Sequence, residues 1–158
     1  MTDEVDSEFK FIADEMLGKL AKWLRAVGYD TVYFAGEGDS ALVQQALQED
    51  RIILTRDSHL VERKLARRTL LVKHDEPRKQ LKQVISDLKL DVKNGLFTRC
   101  LVCNRELLSV KKEHVHDRVP AYTYSTQSKF YECPGCGRIY WPGTHKDSMM
   151  EVISSITD

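Results

Sequence analysis

The stretch IILTRDSHL, residues 52–60, contains the feature on which the interpretation of this chain depends. Its apolar and β-branched beginning predicts a buried strand, and an amphipathic pattern starts directly after Arg56 and Asp57. Two explanations account for a carboxylate at the end of such a strand. Asp57 either caps the next helix, since Asp is a favoured N-cap residue, or it binds a metal ion.

The same alternation of strand and helix extends from residue 9 to about residue 92. The predicted strands are FKFIA, DTVYF, RIILT and TLLVK. The predicted helices are EMLGKLAKWLRAVG, SALVQQALQE, SHLVERKLARR and RKQLKQVISDLKL. Gly28 and Pro77 are typical of a helix end and a helix start. Strands that alternate with helices indicate an α/β fold with a mostly parallel sheet flanked by helices.

The second half of the chain predicts smaller elements. DVKNGLF is a predicted linker, and the short strand-like segments ELLSV, KFYEC and RIYW surround four cysteines. The last segment predicts a helix with one apolar face, formed by Met149, Val152, Ile153 and Ile156. We therefore expect an α/β domain over residues 9–92, a small β-rich ribbon over residues 97–146, and a C-terminal helix over residues 147–158 that packs on the body.

The composition is typical of a globular protein, with 42% hydrophobic and 30% charged residues. No segment approaches the roughly 20 apolar residues of a membrane span, and the acidic N-terminus lacks the apolar core of a secretory signal. We expect a soluble cytoplasmic protein that has no contact with a membrane. Its protein partners are unknown from the sequence.

The charges are distributed unevenly along the chain, although the net charge is zero. Residues 1–58 carry twelve acidic and six basic residues, whereas residues 59–129 carry eight acidic and sixteen basic residues. This distribution favours a metal site beside a surface that binds a polyanion. Solvated helix faces would give the same pattern.

The four cysteines form two C-x-x-C pairs, Cys100 with Cys103 and Cys133 with Cys136. In an intracellular protein such pairs are more typical of metal binding than of disulfides. Each pair can present two thiolates to one tetrahedral ion, so the sequence predicts one structural Zn²⁺ with four cysteine ligands. A redox pair or ordinary buried thiols are the alternatives. A ribbon of this size needs its metal in order to fold.

Acidic residues follow the predicted strands. Asp14 follows the first strand, Asp39 the second and Asp57 the third. Because the carboxyl ends of parallel strands share one edge of a sheet, we expect these three carboxylates to lie close together. Such oxygen ligands select Mg²⁺ or Mn²⁺, which can support phosphodiester hydrolysis. Each of the three could instead be a helix cap.

Other phosphate chemistries find less support. The chain has neither a G-x-x-x-x-G-K-[ST] loop nor a G-x-G-x-x-G loop after a strand. A phospho-acceptor signalling domain also places Asp at strand ends, but it needs a Lys and a hydroxyl beside a paired acidic site. The segment IADEM supplies that arrangement only in part.

The basic middle of the chain predicts contacts to phosphates, which give affinity without reading the base sequence. The candidate nucleic-acid-binding residues are Lys19, Arg25, Arg56, Arg63, Lys64, Arg67, Arg68, Lys79 and Lys82. Aromatic residues of the ribbon interleave with lysines and could stack on unpaired bases. For Phe130 and Tyr140, the alternative is that they form the small core of the ribbon itself.

Four segments together, in this order, carry a resemblance to a known family. They are FIADEMLGKLAKWLRAVGYDT, ILTRDSHL, RCLVCNREL and CPGCGRIYWPGTH. Over roughly residues 9–147 the chain resembles the PIN-like ribonuclease domain with a C-terminal zinc ribbon that is found at the C terminus of mutator-seven exonucleases. The resemblance implies a PIN-like fold and metal-dependent nuclease activity, with RNA as the substrate.

The resemblance also implies roles for the three aspartates. Asp14 resembles the first carboxylate of PIN nucleases, Asp39 a later one and Asp57 the last. Many such nucleases carry a further acidic residue, for which Glu37, Asp75 and Glu76 are candidates here, or which is absent. The sequence therefore predicts a divalent-metal-dependent ribonuclease acting on single-stranded RNA. The alternative is a non-catalytic RNA-binding or adaptor protein that keeps the fold and the zinc.

Overall fold

The computed structural model of the chain describes residues 9–36, 38–63 and 68–157. Its first part contains four short strands, β1 (Lys10–Ala13), β2 (Asp30–Tyr33), β3 (Ile52–Thr55) and β4 (Thr69–Leu71). All neighbouring strands run parallel, in the order β2-β1-β3-β4. The helices that connect and follow them are α1 (Gly18–Ala26), α2 (Asp39–Glu49), α3 (Ser58–Val61) and α4 (Pro77–Leu88).

The two central strands of the sheet, β1 and β3, are buried on both faces. Successive side chains of a strand point to opposite faces, so Phe11 of β1 lies in the core with α1 and α4, whereas Ile12 lies in the core with α2. Ile53 and Leu54 of β3 divide in the same way between the two cores. This double burial explains why β3 is a continuous apolar run rather than an alternating one.

The fold class predicted from the sequence is confirmed, but one helix is shorter than expected. SHLVERKLARR predicts a helix over residues 58–68, whereas α3 ends at Val61. Leu60 is the buried residue of α3. A single buried anchor provides little of the tertiary packing on which helix stability depends. Residues 64–67 lie outside the described part of the chain.

The segment after α4 is closely packed against the end of α1. Gly28 has a left-handed φ of 103°, and a Cβ there would approach the carbonyl oxygen of Gly95 to 2.4 Å. The backbone N–H of Phe97 donates to the carbonyl of Ala26 at 2.8 Å. Gly28 therefore ends the helix, as predicted, and also allows the close approach of the segment that leads to the ribbon.

The ribbon contains a second, antiparallel sheet of β5 (Leu108–Val110), β6 (Phe130–Glu132) and β7 (Ile139–Tyr140), in that order. A short helix, α5 (Ala121–Thr126), lies between β5 and β6. Phe130 is 1% exposed, so it is a core residue of this small unit.

The last helix, α6 (Thr144–Thr157), returns to the first part of the molecule. Ile153 is buried in the same core as Val84 and Ile85 of α4, and Ile156 packs against that core. The boundaries expected for the α/β domain, the ribbon and the C-terminal helix stay a prediction. Among the described residues, no helix is both long enough and apolar enough to cross a membrane.

Candidate active site and metal centre

The carboxyl edge of the parallel sheet contains the point at which the chain reverses direction across the sheet. From β1 the chain crosses to β2 on one side, and from β2 it returns past β1 to β3. The strand order therefore leaves a crevice between the carboxyl ends of β1 and β3, where ligands of open α/β sheets bind. Asp14 follows β1 directly, and Asp57 lies two residues beyond the end of β3.

Asp14 is held on both of its carboxylate oxygens. Oδ1 accepts a hydrogen bond from the backbone N–H of Met16 at 3.1 Å, and Oδ2 accepts one from the Thr55 hydroxyl at 2.5 Å. The first contact makes Asp14 the N-cap of the 3₁₀ turn Glu15–Leu17. The second contact links the carboxylate to the end of the neighbouring strand β3, so Asp14 does more than cap the turn.

Asp57 is linked to the same hydroxyl. Its backbone N–H donates to the Thr55 hydroxyl oxygen at 3.0 Å, and its Oδ1 accepts from the backbone N–H of His59 at 2.9 Å. Thr55 is fully buried and connects Asp14 to Asp57 across the crevice. Thr55 was not predicted as a site residue from the sequence. Its signal there is a polar β-branched residue that ends a buried run directly before Arg56 and Asp57.

Asp39 differs from the other two aspartates. It is the first residue of α2, and the N-cap position belongs to Gly38, whose φ is 83°. The cap interpretation therefore holds for Asp14 and Asp57 and fails for Asp39, which is exposed at the start of its helix.

The three aspartates do not form a tight cluster in the way that the cysteines do. Within residues 9–36, 38–63 and 68–157, the four cysteines are the one group of three or more His, Cys, Asp or Glu residues whose ligand atoms lie within 4.8 Å of one another. The aspartates share the carboxyl edge through the positions of β1, β2 and β3. Their oxygen donors suit Mg²⁺ or Mn²⁺ in type.

Several predicted nucleic-acid-binding residues surround this edge. Arg56 is exposed between Thr55 and Asp57, and Arg63 donates from Nη2 to the Ser40 hydroxyl at 3.3 Å, beside the first turn of α2. The others at exposed positions on α1 and α4 are Lys19, Lys79 and Lys82. Lys64, Arg67 and the candidate acidic residue Glu37 lie outside the described residues.

Of the predicted nucleic-acid-binding residues, one is buried and another lies at the opposite edge of the sheet. Arg25 is only 8% exposed, and its guanidinium donates to the carbonyls of Thr31 at 2.9 Å and Leu101 at 2.7 Å, so it is a structural residue. Arg68 precedes β4 at the opposite, amino edge of the sheet and pairs with Asp50 at 3.2 Å. We therefore exclude both from the surface that faces the aspartates.

The four cysteines meet at one point in the ribbon. The Sγ atoms of Cys100, Cys103, Cys133 and Cys136 all lie within 4.8 Å of one another, and those of Cys100 and Cys136 are 3.7 Å apart. Cys100 and Cys133 are fully buried. The four thiols are therefore positioned to bind one metal ion, and a complete set of thiolate ligands is typical of a closed structural Zn²⁺ site.

The two C-x-x-C turns have the same backbone geometry. In each turn the residue four positions after the first cysteine donates its N–H to the carbonyl of that cysteine, Asn104 to Cys100 and Gly137 to Cys133, at 2.9 Å in both. Asn104 and Gly137 have left-handed φ values of 69° and 78°. Glycine and asparagine are the residues that adopt this conformation most readily.

The surroundings of the thiols shift the pKa values of Cys136 and Cys103 in opposite directions. Hydrogen bonds from the backbone and the side chain of Arg138 lower the pKa of Cys136 to about 6. The hydrogen bond with the Cys136 sulfur raises the pKa of Cys103 to about 12. A bound cation would remove this opposition, because it favours the thiolate form of every ligand.

Tyr140 supports one ligand from outside the cluster. Its hydroxyl lies 3.1 Å from the Cys100 Sγ and accepts a hydrogen bond from the backbone N–H of Leu101 at 3.2 Å. Burial raises the pKa of this hydroxyl, so it stays protonated and can donate to the sulfur. Contacts of this kind orient the ligands of a metal.

The first cysteine turn is fixed to the amino edge of the parallel sheet. Asn104 Oδ1 accepts from the backbone N–H of Thr31 at 2.9 Å, and Asn104 Nδ2 donates to Asp30 Oδ1 at 2.6 Å. Asp30 also pairs with Arg51 Nη1 at 2.8 Å. In the described part of the chain, every buried side-chain nitrogen and oxygen has a hydrogen-bond partner.

The protein is an α/β protein with a parallel four-stranded sheet and with aspartates after β1, β2 and β3. It has an attached ribbon whose four cysteines are positioned to bind a metal ion. The family model described as the Mut7-C RNAse domain matches residues 9–153, and the chain belongs to this family. The resemblance found in the sequence is thereby confirmed, and the description of the family is that of a ribonuclease. A search of curated proteins finds no match to the chain.

Proposed function

We propose that this protein is a divalent-metal-dependent ribonuclease that hydrolyses RNA phosphodiester bonds. The observation that carries the proposal is the hydrogen-bonded chain from Asp14 through Thr55 to Asp57 at the crevice between β1 and β3. A buried hydroxyl that fixes one carboxylate and the backbone of a second is the kind of support that a precise ligand site requires. Membership of a family described as an RNAse domain supports the same conclusion.

Asp14, Asp39 and Asp57 are the proposed catalytic carboxylates and the proposed ligands of Mg²⁺ or Mn²⁺. When bound, such a cation supplies stabilisation of charge on the phosphate oxygens and an activated water. Thr55 holds Asp14 in one orientation, and the cap contact from His59 leaves Asp57 Oδ2 available. Arg56 and Arg63 are available to attract the phosphate backbone, because both are exposed at this edge.

The remaining acidic position stays open in this proposal. Asp75 and Glu76 are exposed after β4, and Glu76 Oε2 lies 3.8 Å from Lys79 Nζ. Because the Glu76 carboxylate lies close to a lysine, the carboxylate of Asp75 is the more available of the two as a further metal ligand.

The ribbon has two proposed roles. Its four cysteines hold one structural Zn²⁺, and its surface helps to hold RNA. We further propose that the substrate is single-stranded and that the protein acts in the cytoplasm.

One observation favours a second function, that of a non-catalytic RNA-binding or adaptor protein. Among the described residues, no three carboxylates lie within 4.8 Å of one another. A carboxylate set that stays this open would bind a divalent cation weakly, because affinity depends on ligand number and geometry.

A cleavage assay separates the two functions. Labelled single-stranded RNA and DNA of the same sequence are incubated with the protein, either with Mn²⁺ or without added metal. We expect cleavage of RNA that requires Mn²⁺ or Mg²⁺ and that is not restored by Zn²⁺ alone. A protein that binds RNA but cleaves neither substrate at any metal concentration would contradict the enzyme and favour the adaptor.

A further inference from the structure

Two pockets adjoin each other where the ribbon meets the parallel domain. One has a volume of about 420 Å³ and the other about 470 Å³. Leu101 and Met149 line both of them, so the two pockets are neighbours, and we call them together the α1–ribbon groove. The cationic and aromatic side chains that characterise this groove are Lys19, Lys22, Trp23, Arg78, Tyr131 and Trp141.

The first pocket is positively charged. Lys19, Lys22 and Arg78 line it, all three are exposed, and none makes an ion pair with another residue in the described part of the chain. The acidic residue of the pocket, Glu76, already lies 3.8 Å from Lys79. Three unpaired cations around one partly neutralised carboxylate match a polyanionic ligand.

The first pocket begins near the proposed catalytic edge. Lys19, Lys22 and Trp23 lie at helical spacing along α1, which starts four residues after Asp14. The nine residues of α1 span about 14 Å at 1.5 Å per residue. A polyanionic ligand that extends from the crevice along α1 therefore reaches the ribbon within the length of one short helix.

The second pocket supplies aromatic surfaces. Tyr131 and Trp141 line it. Trp141 is 36% exposed and makes an edge contact to Phe130, with ring centroids 6.2 Å apart. The chain contains two tryptophans, and both line the groove, Trp23 in the first pocket and Trp141 in the second. Aromatic rings beside a cationic track are typical of sites for unpaired nucleotides.

We propose that the α1–ribbon groove binds the single-stranded part of the RNA that extends from the catalytic edge. Lys19, Lys22 and Arg78 contact its phosphates, and a base stacks on Trp141 in the second pocket. The strand must be unpaired there, because a base in a duplex does not expose its face for stacking. This proposal rests on RNA being the substrate proposed above, and it specifies the path of that substrate across the molecule.

The wild-type protein provides a direct test, because both tryptophans lie in the groove. Intrinsic fluorescence is recorded while a single-stranded RNA of about 16 nucleotides, the upper range of known site sizes, is added without Mg²⁺ or Mn²⁺. We expect fluorescence quenching that saturates together with fluorescence anisotropy of a labelled copy of the RNA, and much weaker quenching by the duplex form. RNA that binds by anisotropy without changing tryptophan fluorescence would overturn the proposal.

Substitutions test the two pockets separately. Trp141→Ala should weaken RNA binding by about 5- to 150-fold, the loss expected for one stacked base, while Trp141→Phe keeps a ring and should bind nearly as wild type. Lys22→Gln with Arg78→Gln should flatten the salt dependence, since each phosphate contact to a single strand contributes about 0.7 to the slope. Zinc content and melting temperature establish that each variant is folded.

Matched controls lie elsewhere on the ribbon. Tyr122 is 79% exposed and Lys129 is exposed, and neither lines the groove, so Tyr122→Ala and Lys129→Gln should leave affinity and salt dependence unchanged. Groove variants that bind RNA as tightly as the wild type would overturn the proposal. That result would favour a polypeptide as the ligand of the groove.

The outcome for the groove is distinguishable from that for catalysis. Quenching by RNA in a protein that never cleaves would sustain the groove and contradict the nuclease. Metal-dependent cleavage combined with unaltered affinity in every groove variant would sustain the nuclease and contradict the groove.

Discussion

The two edges of the parallel sheet both carry charged residues, but they use them differently. At the amino edge, Asp30 pairs with Arg51 and accepts a hydrogen bond from Asn104 in the first cysteine turn. Arg25 donates a hydrogen bond to the backbone carbonyl of Thr31. At the carboxyl edge, Asp39 and Asp57 are exposed. Charges that are paired internally join two parts of a protein, whereas exposed charges with free oxygens remain available for a ligand.

The pKa values at the amino edge reflect this pairing. Burial, the largest influence on Asp30, raises its pKa, but hydrogen bonds from Arg51 and Asn104 outweigh burial and hold the pKa below its usual value. Burial lowers the pKa of Arg25, whose carbonyl partners replace the water that it loses. The amino edge is therefore a structural joint, and substitutions there should affect stability before activity.

The largest effect is expected from loss of the proposed Zn²⁺ at the ribbon end of this joint. Cys133→Ser removes one of four ligands, and structural Zn²⁺ is worth about 10–16 kcal/mol in zinc-finger peptides. We expect loss of stoichiometric zinc and a strongly lowered melting temperature, measured by elemental analysis and calorimetry. Unchanged zinc content, or disulfides among the four cysteines, would contradict the structural zinc site.

The next largest effect is expected at the carboxyl edge. Asp57→Asn keeps the helix cap, since Asn caps about as well as Asp, but it removes a charge that a hard cation requires. Cleavage should fall by about 100-fold or more, because metal stabilisation is worth several kcal/mol and 1.4 kcal/mol is a factor of ten.

The matched control for this substitution lies at the other edge. Asp50→Asn makes the same change at a residue with a left-handed φ of 54°, which Asn tolerates, and it should leave cleavage unchanged. An active Asp57→Asn enzyme of normal melting temperature would show that Asp57 is only a cap.

Thr55 connects the structural and chemical roles within the carboxyl edge. Thr55→Val removes the hydroxyl that bonds to Asp14 and to the N–H of Asp57. We expect a loss of about 1–3 kcal/mol in the free energy of unfolding and a decrease in cleavage of about 10-fold or more, as for other residues that orient ligands. Thr55→Ser retains the hydroxyl and should restore cleavage, whereas equal activity of the Val and Ser variants would rule out a positioning role.

The smallest effect is expected when the left-handed residues of the two cysteine turns, Asn104 and Gly137, are each replaced by the residue type of the other. Asn104→Gly keeps the left-handed backbone but removes the bonds to Thr31 and Asp30, at a cost of about 1–2 kcal/mol. Gly137→Asn is the matched change in the second turn, where an added Cβ meets only the Arg118 guanidinium at 3.8 Å, and it should cost less. Chemical denaturation of both variants measures the difference, and equal stabilities would mean that Asn104 does not join the ribbon to the sheet.

The sequence predicted the elements that depend on local pattern. All four parallel strands were predicted from their apolar and β-branched residues. The signal is clearest for β3, because a strand buried on both faces has no polar side to interrupt it. The spacing of the cysteines predicted that the four thiols are positioned to bind one ion, because two C-x-x-C turns need only a local conformation to present their thiols. The helix predicted over residues 58–68 ends at Val61, because the length of this helix depends on tertiary packing rather than on periodicity.

Roles that depend on the meeting of distant segments could not be predicted in this way. Arg25 was expected to contact RNA, but its carbonyl partner Leu101 is 76 residues away. Asn104 was not singled out, because its partners lie 73 and 74 residues earlier in the chain. No periodicity carries information over such distances.

By itself, the sequence determined the parallel α/β fold, the four-cysteine site and the family, since strand burial, turn geometry and motif order are properties of short segments. Only the tertiary structure decided which charges are free. It buried Arg25 in the joint with the ribbon, moved Arg68 to the edge away from the aspartates, and joined Asp14 to Asp57 through Thr55. The physical reason is that the availability of a charged group depends on its hydrogen-bond partners, and in this protein those partners come from other strands and from the ribbon.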